Sequence, residues 1–376
     1  MPARLTAEQL ARDLSVRDLT DPAAGPHALQ LVLTDAVQAL ADRWGCQVRW
    51  CRGERVVTVE DNYDNLGFRP DDITRDARYT RYADDRHMLR SHSSALIPAA
   101  LRALAADPAD DVLLVCPGLV YRRDSIDRLH TGTPHQLDLW RVTRRPAPMT
   151  TTDLDGMVTT LVETLLPGAK HRHEDRVHPY TLSGRQVDVE RGGEWIEVAE
   201  CGLAHPAVLA RAGLGASWSG LALGMGLDRM LMLLKGIPDI RALRSADPSV
   251  DAQMTDLSPY RPVSAMPAVR RDLSVAVDRD DLAEDLGDRV RDALGADADC
   301  VESVGILAET PCAELPPQAL ERLGARPDQK NVLLKVVLRH LDRTLTDQDA
   351  NLLRDRVYAA VHQGSAHQWA AAAGPA

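Results

Sequence analysis

The chain has 376 residues, of which 44% are hydrophobic and 26% are charged, and its formal net charge is −11. This composition is ordinary for a globular protein of two domains and argues against disorder. The negative charge argues against non-specific attraction to nucleic acid, although a local basic patch can still bind it. We expect a cytoplasmic protein, because no apolar stretch is long enough to span a bilayer and residues 1–8 lack the apolar core of a secretory signal.

Helical spacing of apolar residues predicts three helices before residue 170, over residues 27–44, 94–106 and 153–165. Ser94 is expected to cap the second of them. Between and after these helices, alternation of apolar and polar residues predicts the strands of a half-buried antiparallel sheet. These strands cover residues 56–59, 112–116, 136–142, 186–189 and 195–198. We therefore expect a first domain over 27–257 that follows an N-terminal extension, 1–26.

Turn-forming residues between 245 and 262 mark a boundary, and the pattern changes after it. Strands are predicted over 272–277, 301–307 and 331–340, and helices over 281–294 and 346–362, with Thr346 as the cap of the last helix. The order β-α-β-β-α, with a last strand not located, suggests a ferredoxin-like domain over 258–366. The alanine-rich tail, 367–376, is expected to be disordered.

The six cysteines show no close pairs of the kind that bind zinc, and Cys116 lies in an apolar run. We therefore expect them to be reduced thiols packed in the core. The chemistry is expected elsewhere, because three polar segments, 90–95, 121–130 and 220–229, combine arginine with small or hydroxylated residues. A glycine-rich run lets the backbone approach a planar ligand, and a guanidinium binds carboxylate or phosphate through a planar fork of donors.

Arg122, expected on a strand, and Arg229, expected at the start of a helix, are the candidates for holding two anions close together. Such a pair outlines a site for a nucleoside triphosphate and a small zwitterion. The alternative for each arginine is a surface side chain paired with a neighbouring carboxylate.

The segment 121–140 resembles the second signature motif of the phenylalanyl-tRNA synthetases, a class II family. Residues 90–95 are similar to the Arg-Thr-His-Thr-Ser segment of that family, and residues 220–241 are similar to its third motif. In the C-terminal part, 266–274 and 339–346 resemble the anticodon-binding domain. The order of the two domains is similar to that of the single-chain mitochondrial enzyme.

This resemblance implies an α+β fold, with the class II antiparallel sheet flanked by helices and a ferredoxin-like β-α-β-β-α-β domain after it. It implies ATP-dependent ligation of phenylalanine to tRNA through an aminoacyl-adenylate, with ATP and Mg²⁺ as cofactors. The implied partners are tRNA, the amino acid and ATP, without a membrane, and a monomer is favoured over a homodimer.

The resemblance also assigns roles to matching residues, with Arg122 and Arg229 as the catalytic pair. The implied amino-acid site comprises His92, Ser93, Ser94, Ala95, Gln136, Asp138, His178, Tyr180, Ala222 and Leu223. The implied ATP site comprises Arg122, Asp124, His130, Glu197, Gly226 and Arg229. Glu197 is the expected magnesium ligand, and Arg339 and Arg343 are the expected tRNA contacts.

The sequence departs from the family in the pocket for the amino-acid side chain. The Phe-Pro-Phe turn of bacterial relatives is replaced by a turn with His178 and Tyr180, residues 220–224 lack two phenylalanines, and Asp138 replaces a glutamate. One interpretation is a general loss of phenylalanine, since the chain has only Phe68. The other is a paralogous synthetase that activates a different aromatic or non-protein amino acid. A third hypothesis is a catalytically silent regulator that binds tRNA.

Overall fold

The computed structural model describes residues 4–76, 79–123, 125–262, 267–340 and 343–366. Two compact units alternate along the chain. The first unit contains residues 1–122, 133–238 and 253–260, and the second contains 123–132, 239–252 and 261–376. The linear domain boundaries predicted from the sequence stay a prediction, and the tail 367–376 lies outside the described residues. Within the described ranges, every helix is too short or too polar to cross a bilayer.

A seven-stranded sheet forms the centre of the first unit, in the order β1-β4-β5-β9-β8-β7-β6. Neighbouring strands in this sheet are antiparallel, except that β1 and β4 are parallel. Strands β2 and β3 form a separate antiparallel pair. The strands of this unit are β1 (Gln47–Trp50), β2 (Val56–Thr58), β3 (His87–Leu89), β4 (Asp111–Leu119), β5 (His135–Thr143), β6 (His171–Asp175), β7 (Thr181–Arg191), β8 (Glu194–Ala204) and β9 (Ser219–Gly226). This mixed sheet confirms the predicted α+β class.

Helices cover both faces of this sheet, and the three predicted ones are present. The helices of the unit are α1 (Ala7–Ser15), α2 (Ala28–Trp44), α3 (Val59–Asn62), α4 (Ile97–Ala106), α5 (Thr151–Leu165), α6 (Pro206–Arg211) and α7 (Leu227–Lys235). The expectation that Ser94 caps a helix was wrong, because Ser93–Leu96 forms a 3-10 turn and α4 starts at Ile97. Pro98 lies in the first turn of α4, where its missing N–H costs no helical hydrogen bond.

One face of the sheet packs against α4 and α6 through a continuous apolar cluster. Trp140, Leu114 and Ala222 come from neighbouring strands, and Leu101 and Val208 come from the two helices. All five are at most 2% exposed, so each contributes the full hydrophobic gain of burial. Because cross-strand neighbours share a face, this cluster fixes which side chains of β4, β5 and β9 lie on the α4 side of the sheet.

In the second unit, three antiparallel strands in the order β10-β12-β11 pack against two long helices. The elements of this unit are α8 (Pro248–Asp251), β10 (Val269–Asp278), α9 (Ala283–Leu294), β11 (Val301–Pro311), α10 (Pro317–Leu323), β12 (Gln329–Leu338) and α11 (Asp347–Val361). As predicted, Thr346 caps α11, and its side chain accepts a hydrogen bond from the Asp349 N–H at 3.1 Å.

The strand order of the second unit is that of a ferredoxin-like domain without its last strand. That strand has no counterpart among the described residues. After α11 the chain returns to β10, where the Gln363 N–H donates to the Ala276 carbonyl at 2.8 Å and the Ala276 N–H donates to His362 Nδ1 at 3.1 Å. In a complete ferredoxin-like fold, the fourth strand pairs with this edge of the first strand, which is β10 here.

Candidate active site

Three central strands of the first unit place two carboxylates in one row on the face that packs against α4. Asp138 on β5 lies opposite Gly224 on β9, and Gly224 lies opposite Glu200 on β8. Residues directly opposite each other point to the same face of a sheet, and adjacent strands lie about 4.8 Å apart. The two carboxylates therefore stand on strands about 10 Å apart, and the glycine between them adds no side chain to the floor.

Asp138 is the buried carboxylate of this row. The Ser93 hydroxyl donates to its Oδ2 at 2.6 Å, and Trp140 Nε1 donates to its Oδ1 at 3.4 Å. Burial raises the pKa of Asp138 to about 6, although hydrogen bonds from Ser93 and Ser94 work in the opposite direction. The Ser93 N–H donates to Gln136 Oε1 at 3.2 Å. The structure thus brings Ser93 and Ser94 together with Gln136 and Asp138, the pair that the resemblance implies for the ammonium group of the amino acid.

His92 lies beside this carboxylate group as a neutral ring. It stacks on Phe68 with ring centroids 5.7 Å apart, and its Nε2 lies 3.4 Å from Asn62 Nδ2. Burial, together with the positive charge of Arg122, lowers the pKa of His92 to about 3. The ring therefore offers polar contacts without a charge. Ala95, also predicted here, is buried one turn further along the chain.

The turn before β7 contributes two stacked rings. Tyr180 stacks on Trp140 with centroids 6.3 Å apart and on His178 with centroids 5.6 Å apart. Burial raises the pKa of Tyr180, and the charges of Asp138 and Glu200 raise it further. The phenol therefore stays protonated in the field of both carboxylates.

Glu200 is a residue of this site that the sequence did not predict. Its Oε2 lies 3.1 Å from His178 Nε2, and the proximity of this imidazole lowers the pKa of Glu200. Its Oε1 lies 3.7 Å from the Nε of Arg176. Only the pairing of β8 with β9 places Glu200 opposite Gly224. The segment directly after it, residues 201–206, also resembles a turn of the bacterial phenylalanyl-tRNA synthetases, and this was the one indication in the sequence.

The two candidate residues from β9 face opposite sides of the sheet. Ala222 lies opposite Trp140 and belongs to the apolar cluster on the α4 side. Leu223 is the next residue, and successive side chains of a strand point to opposite faces. Leu223 is buried, but its side chain points away from the face that carries Asp138 and Ala222. Its expected place in the wall of the pocket is therefore not supported by the strand geometry.

The positive charge of Arg122 acts on this site, although Arg122 itself does not lie on a strand of the sheet. The expectation that it lies on a strand was wrong, because β4 ends at Leu119 and the chain then turns to pair with the Arg90 carbonyl through the Tyr121 N–H. Arg122 Nε donates to the Ser91 carbonyl at 3.1 Å. Its positive charge lowers the pKa values of His92, Asp138 and Glu200 alike.

Arg229 lies in the first turn of α7, as predicted, and Gly226 is the residue from which β9 passes directly into that helix. Arg229 Nη1 donates to the Glu197 carbonyl at 3.0 Å. Burial raises the pKa of Glu197, and the neighbouring charge of Glu200 raises it further, whereas Arg229 lowers it. Arg229 and Glu197 thus form the second charged part of the site, next to the helix N-terminus.

A protein-family comparison identifies the core of the first unit. Residues 13–254 match the family model of the tRNA synthetase class II core domain (F). The chain belongs to this family. It is 33% identical to the phenylalanine–tRNA ligase alpha subunit of Prochlorococcus marinus (strain MIT 9313) over 233 residues, which cover 61% of this chain and 68% of that protein.

Two further relatives extend the comparison of this synthetase core. The phenylalanine–tRNA ligase alpha subunit of Nostoc sp. (strain PCC 7120) is 29% identical over 246 residues, which cover 65% of this chain and 71% of that protein. The probable mitochondrial phenylalanine–tRNA ligase of Drosophila melanogaster is 27% identical over 366 residues, which cover 81% of this chain and 75% of that protein. The Drosophila match includes more of this chain than the match to the core domain does.

Four predicted residues of the synthetase lie outside the group described above. Asp124 is outside the described residues. His130 belongs to the second unit, where its Nδ1 lies 2.8 Å from Asp127 Oδ2. Also in the second unit, Arg339 pairs with a carboxylate of Glu302 at 2.5 Å, and Arg343 pairs with a carboxylate of Asp349 at 3.3 Å. The expected roles of these four residues stay predictions.

Proposed function

We propose that this chain ligates phenylalanine to tRNA, first forming an aminoacyl-adenylate from ATP and then transferring the amino acid to the terminal ribose. The observation that carries the proposal is the cluster around Asp138, in which a buried carboxylate, Ser93 and Gln136 converge on one point in the field of Arg122. A zwitterionic amino acid needs this pairing of a carboxylate for its ammonium group with a guanidinium for its carboxylate.

Adenylate formation joins two anions, because the carboxylate of the amino acid attacks the α-phosphate of ATP and negative charge builds up on phosphorus. Fixed cations stabilise that charge without reorganisation during the reaction. Arg122 would hold the carboxylate and the α-phosphate, and Arg229 would lie along the triphosphate. Positioning and electrostatics are sufficient for this step, so no covalent enzyme intermediate is required.

ATP and Mg²⁺ are the proposed cofactors, with Gly226 opening the helix that faces the nucleotide. Among the described residues, no group of three or more His, Cys, Asp or Glu side chains is arranged to hold a metal ion. Mg²⁺ bound with a nucleotide commonly uses one or two carboxylates, the phosphates and water. Glu197 fits that mode, since burial and then the neighbouring negative charge of Glu200 raise its pKa, and a cation there would relieve the repulsion. When bound, Mg²⁺ would neutralise phosphate charge.

The second unit is the proposed tRNA-binding part, through Arg339 and Arg343, and His130 is proposed to cover ATP. We also propose that the protein is a monomer in the cytoplasm. The outer face of α2 supports a monomer, because apart from Leu31 its exposed residues are polar or charged, namely Thr34, Asp35, Gln38, Asp42 and Arg43. Sedimentation over a range of protein concentrations checks the oligomeric state.

An exchange assay tests the proposed activity. With the full chain, ATP and Mg²⁺, phenylalanine should drive incorporation of labelled pyrophosphate into ATP, and added tRNA should become charged. Arg122→Lys keeps the charge but loses the planar fork, so exchange should fall by roughly 100-fold. The proposal is wrong if no aromatic amino acid supports exchange. It also fails if the protein with Arg122→Glu still performs its function in the cell, because a catalytically silent regulator that binds tRNA would then be sufficient to explain that function.

A further inference from the structure

At the side opposite Asp138, the proposed pocket ends at the imidazole of His178 and the carboxylate of Glu200. Nε2 of His178 lies 3.1 Å from Oε2 of Glu200, and their side chains are 10% and 37% exposed. His178 is stacked on Tyr180, so the imidazole is held in place by a ring as well as by the carboxylate. The two side chains place polar atoms beside the stacked rings of Tyr180 and Trp140.

The geometry of the sheet defines what lies between the two carboxylates. Gly224 separates Asp138 from Glu200 in the cross-strand row, and a Cβ placed on Gly224 would lie 3.6 Å from Asp138 Oδ2. The space above this glycine is therefore bounded by Asp138 on one side and by the His178–Glu200 pair on the other. An amino acid with its ammonium group on Asp138 and its ring above Gly224 would direct the far edge of that ring towards Glu200.

An unsubstituted phenyl ring is a poor match for that end of the pocket. It would remove water from the remaining lone pairs of the Glu200 carboxylate without supplying a hydrogen-bond donor in return, and covering a charged group in this way is unfavourable. A ring that carries a donor avoids this loss. A site whose polar groups hydrogen-bond a substrate discriminates strongly against the analogue that lacks the donor.

We propose that this site selects an aromatic amino acid whose ring carries a hydrogen-bond donor, a hydroxyl or an amino group, and that Glu200, held by His178, accepts that hydrogen bond. The inference rests on the proposed function, because it requires the ammonium group at Asp138. It makes Glu200 and His178 the residues that determine specificity, and it favours altered substrate choice over a general loss of phenylalanine as the reason for the changed turn.

The test is the exchange assay on the full chain with L-phenylalanine, L-tyrosine, L-meta-tyrosine and 4-amino-L-phenylalanine. We expect at least one ring-substituted amino acid to exceed phenylalanine in kcat/KM by roughly 10- to 100-fold, the range for one charged hydrogen bond. Glu200→Gln should reduce that preference by roughly tenfold or more and should raise kcat/KM for phenylalanine, because the side chain covered by the ring then carries no charge. His178→Phe should shift the preference towards phenylalanine.

Glu174→Gln is the matched control. Glu174 lies in the same cross-strand row on the outer strand β6, two strands beyond Glu200, and it pairs with Arg172 at 2.8 Å. The control should leave all four substrates unchanged. Phenylalanine as the best substrate of both the wild type and Glu200→Gln would overturn the inference but leave the proposed function intact.

The inference would also be overturned if Glu200→Gln lowered kcat/KM equally for all four amino acids and raised KM for ATP, because Glu200 would then act on the nucleotide. Absence of exchange with every amino acid would instead remove the proposed function on which the inference rests.

Discussion

Asp138 combines two requirements that conflict with each other. Binding an ammonium group needs the ionised carboxylate, but burial favours the neutral acid, and the resulting pKa is about 6 instead of 3.8. The hydroxyl donors of Ser93 and Ser94 reduce this conflict without removing it. The ionised residue is therefore suited to its proposed role in binding but unfavourable for folding at neutral pH, and both effects can be measured.

The pH dependence of exchange should follow this carboxyl group. Because its pKa is raised, Asp138 binds a proton as the pH falls through about 6, so kcat/KM for the amino acid should decline about tenfold per pH unit below that value. Asp138→Asn should be nearly inactive at all pH values. A wild-type profile that stays flat from pH 8 to pH 5 would show that Asp138 does not receive the ammonium group.

The same substitution should stabilise the protein. A carboxyl group whose pKa is raised in the folded state contributes stability below its unfolded value, and this contribution is lost as the pH rises through about 6. At pH 7.5 the ionised form therefore costs roughly 3 kcal/mol, so Asp138→Asn should raise the free energy of unfolding by up to that amount. Denaturant unfolding should show the gain at pH 7.5 and little of it at pH 4. The exposed substitution Asp35→Asn is the control, and an equal gain there would contradict the explanation.

At the scale of elements, the site depends on how β9 lies between β5 and β8. Gly224 leaves the floor open, Ala222 contributes one methyl group to the apolar cluster, and Gly226 leads into the helix that carries Arg229. Each of these positions on β9 thus contributes differently. The alternation of side chains along the strand determines which of them lie on the same face as Asp138.

Gly224→Ala should impair amino-acid binding while the protein folds normally. The new methyl group would meet Asp138 at 3.6 Å, an ordinary contact, but it would fill the floor on which we propose that the substrate lies. We expect KM for the amino acid to rise roughly tenfold or more, since one methylene in a pocket is worth about 1–3 kcal/mol, and KM for ATP to stay the same.

Gly305→Ala is the matched control for this substitution, because it also changes a strand glycine with open space above it, but in the second unit. An unchanged KM for the amino acid in Gly224→Ala would show that the substrate lies elsewhere.

Parts of this arrangement were predictable from the sequence because they depend on local patterns. The family resemblance implied Ser93, Gln136 and Asp138, which the structure places together, and helical periodicity identified α2 and α5 to within two residues. Glu200 was missed because its importance comes from the register between β8 and β9, which no local pattern records. Leu223 was expected in the pocket because residues 220–224 resemble the pocket floor of the family, although alternation along the strand turns its side chain away.

At the scale of the whole molecule, a net charge of −11 must be reconciled with binding of a polyanion. The second unit does not present its predicted tRNA contacts as free cations, because Arg339 pairs with Glu302 and Arg343 with Asp349. If tRNA binds there, phosphates must compete with these carboxylates. The affinity should therefore be modest and strongly dependent on salt.

Titration of tRNA binding against salt concentration tests the role of these arginines. Each substitution, Arg339→Gln or Arg343→Gln, should weaken binding of all tRNA species alike and reduce the slope of log affinity against log salt by about 1. Lys170→Gln, an exposed substitution in the first unit, should leave the slope unchanged. If neither arginine alters the slope, tRNA contacts this protein through other residues.

The direct passage of β9 into α7 limits how this enzyme can be re-engineered. Only four residues separate Gly224, above which we propose that the amino acid lies, from Arg229, and no loop between them can absorb a change in backbone position. A library that varies residues 224–229 would therefore disturb the reaction with ATP together with the selection of the amino-acid side chain. Residues 178 and 200 come from a different part of the sheet. Varying them offers a route to enzymes that attach new amino acids to tRNA while the step that uses ATP stays intact.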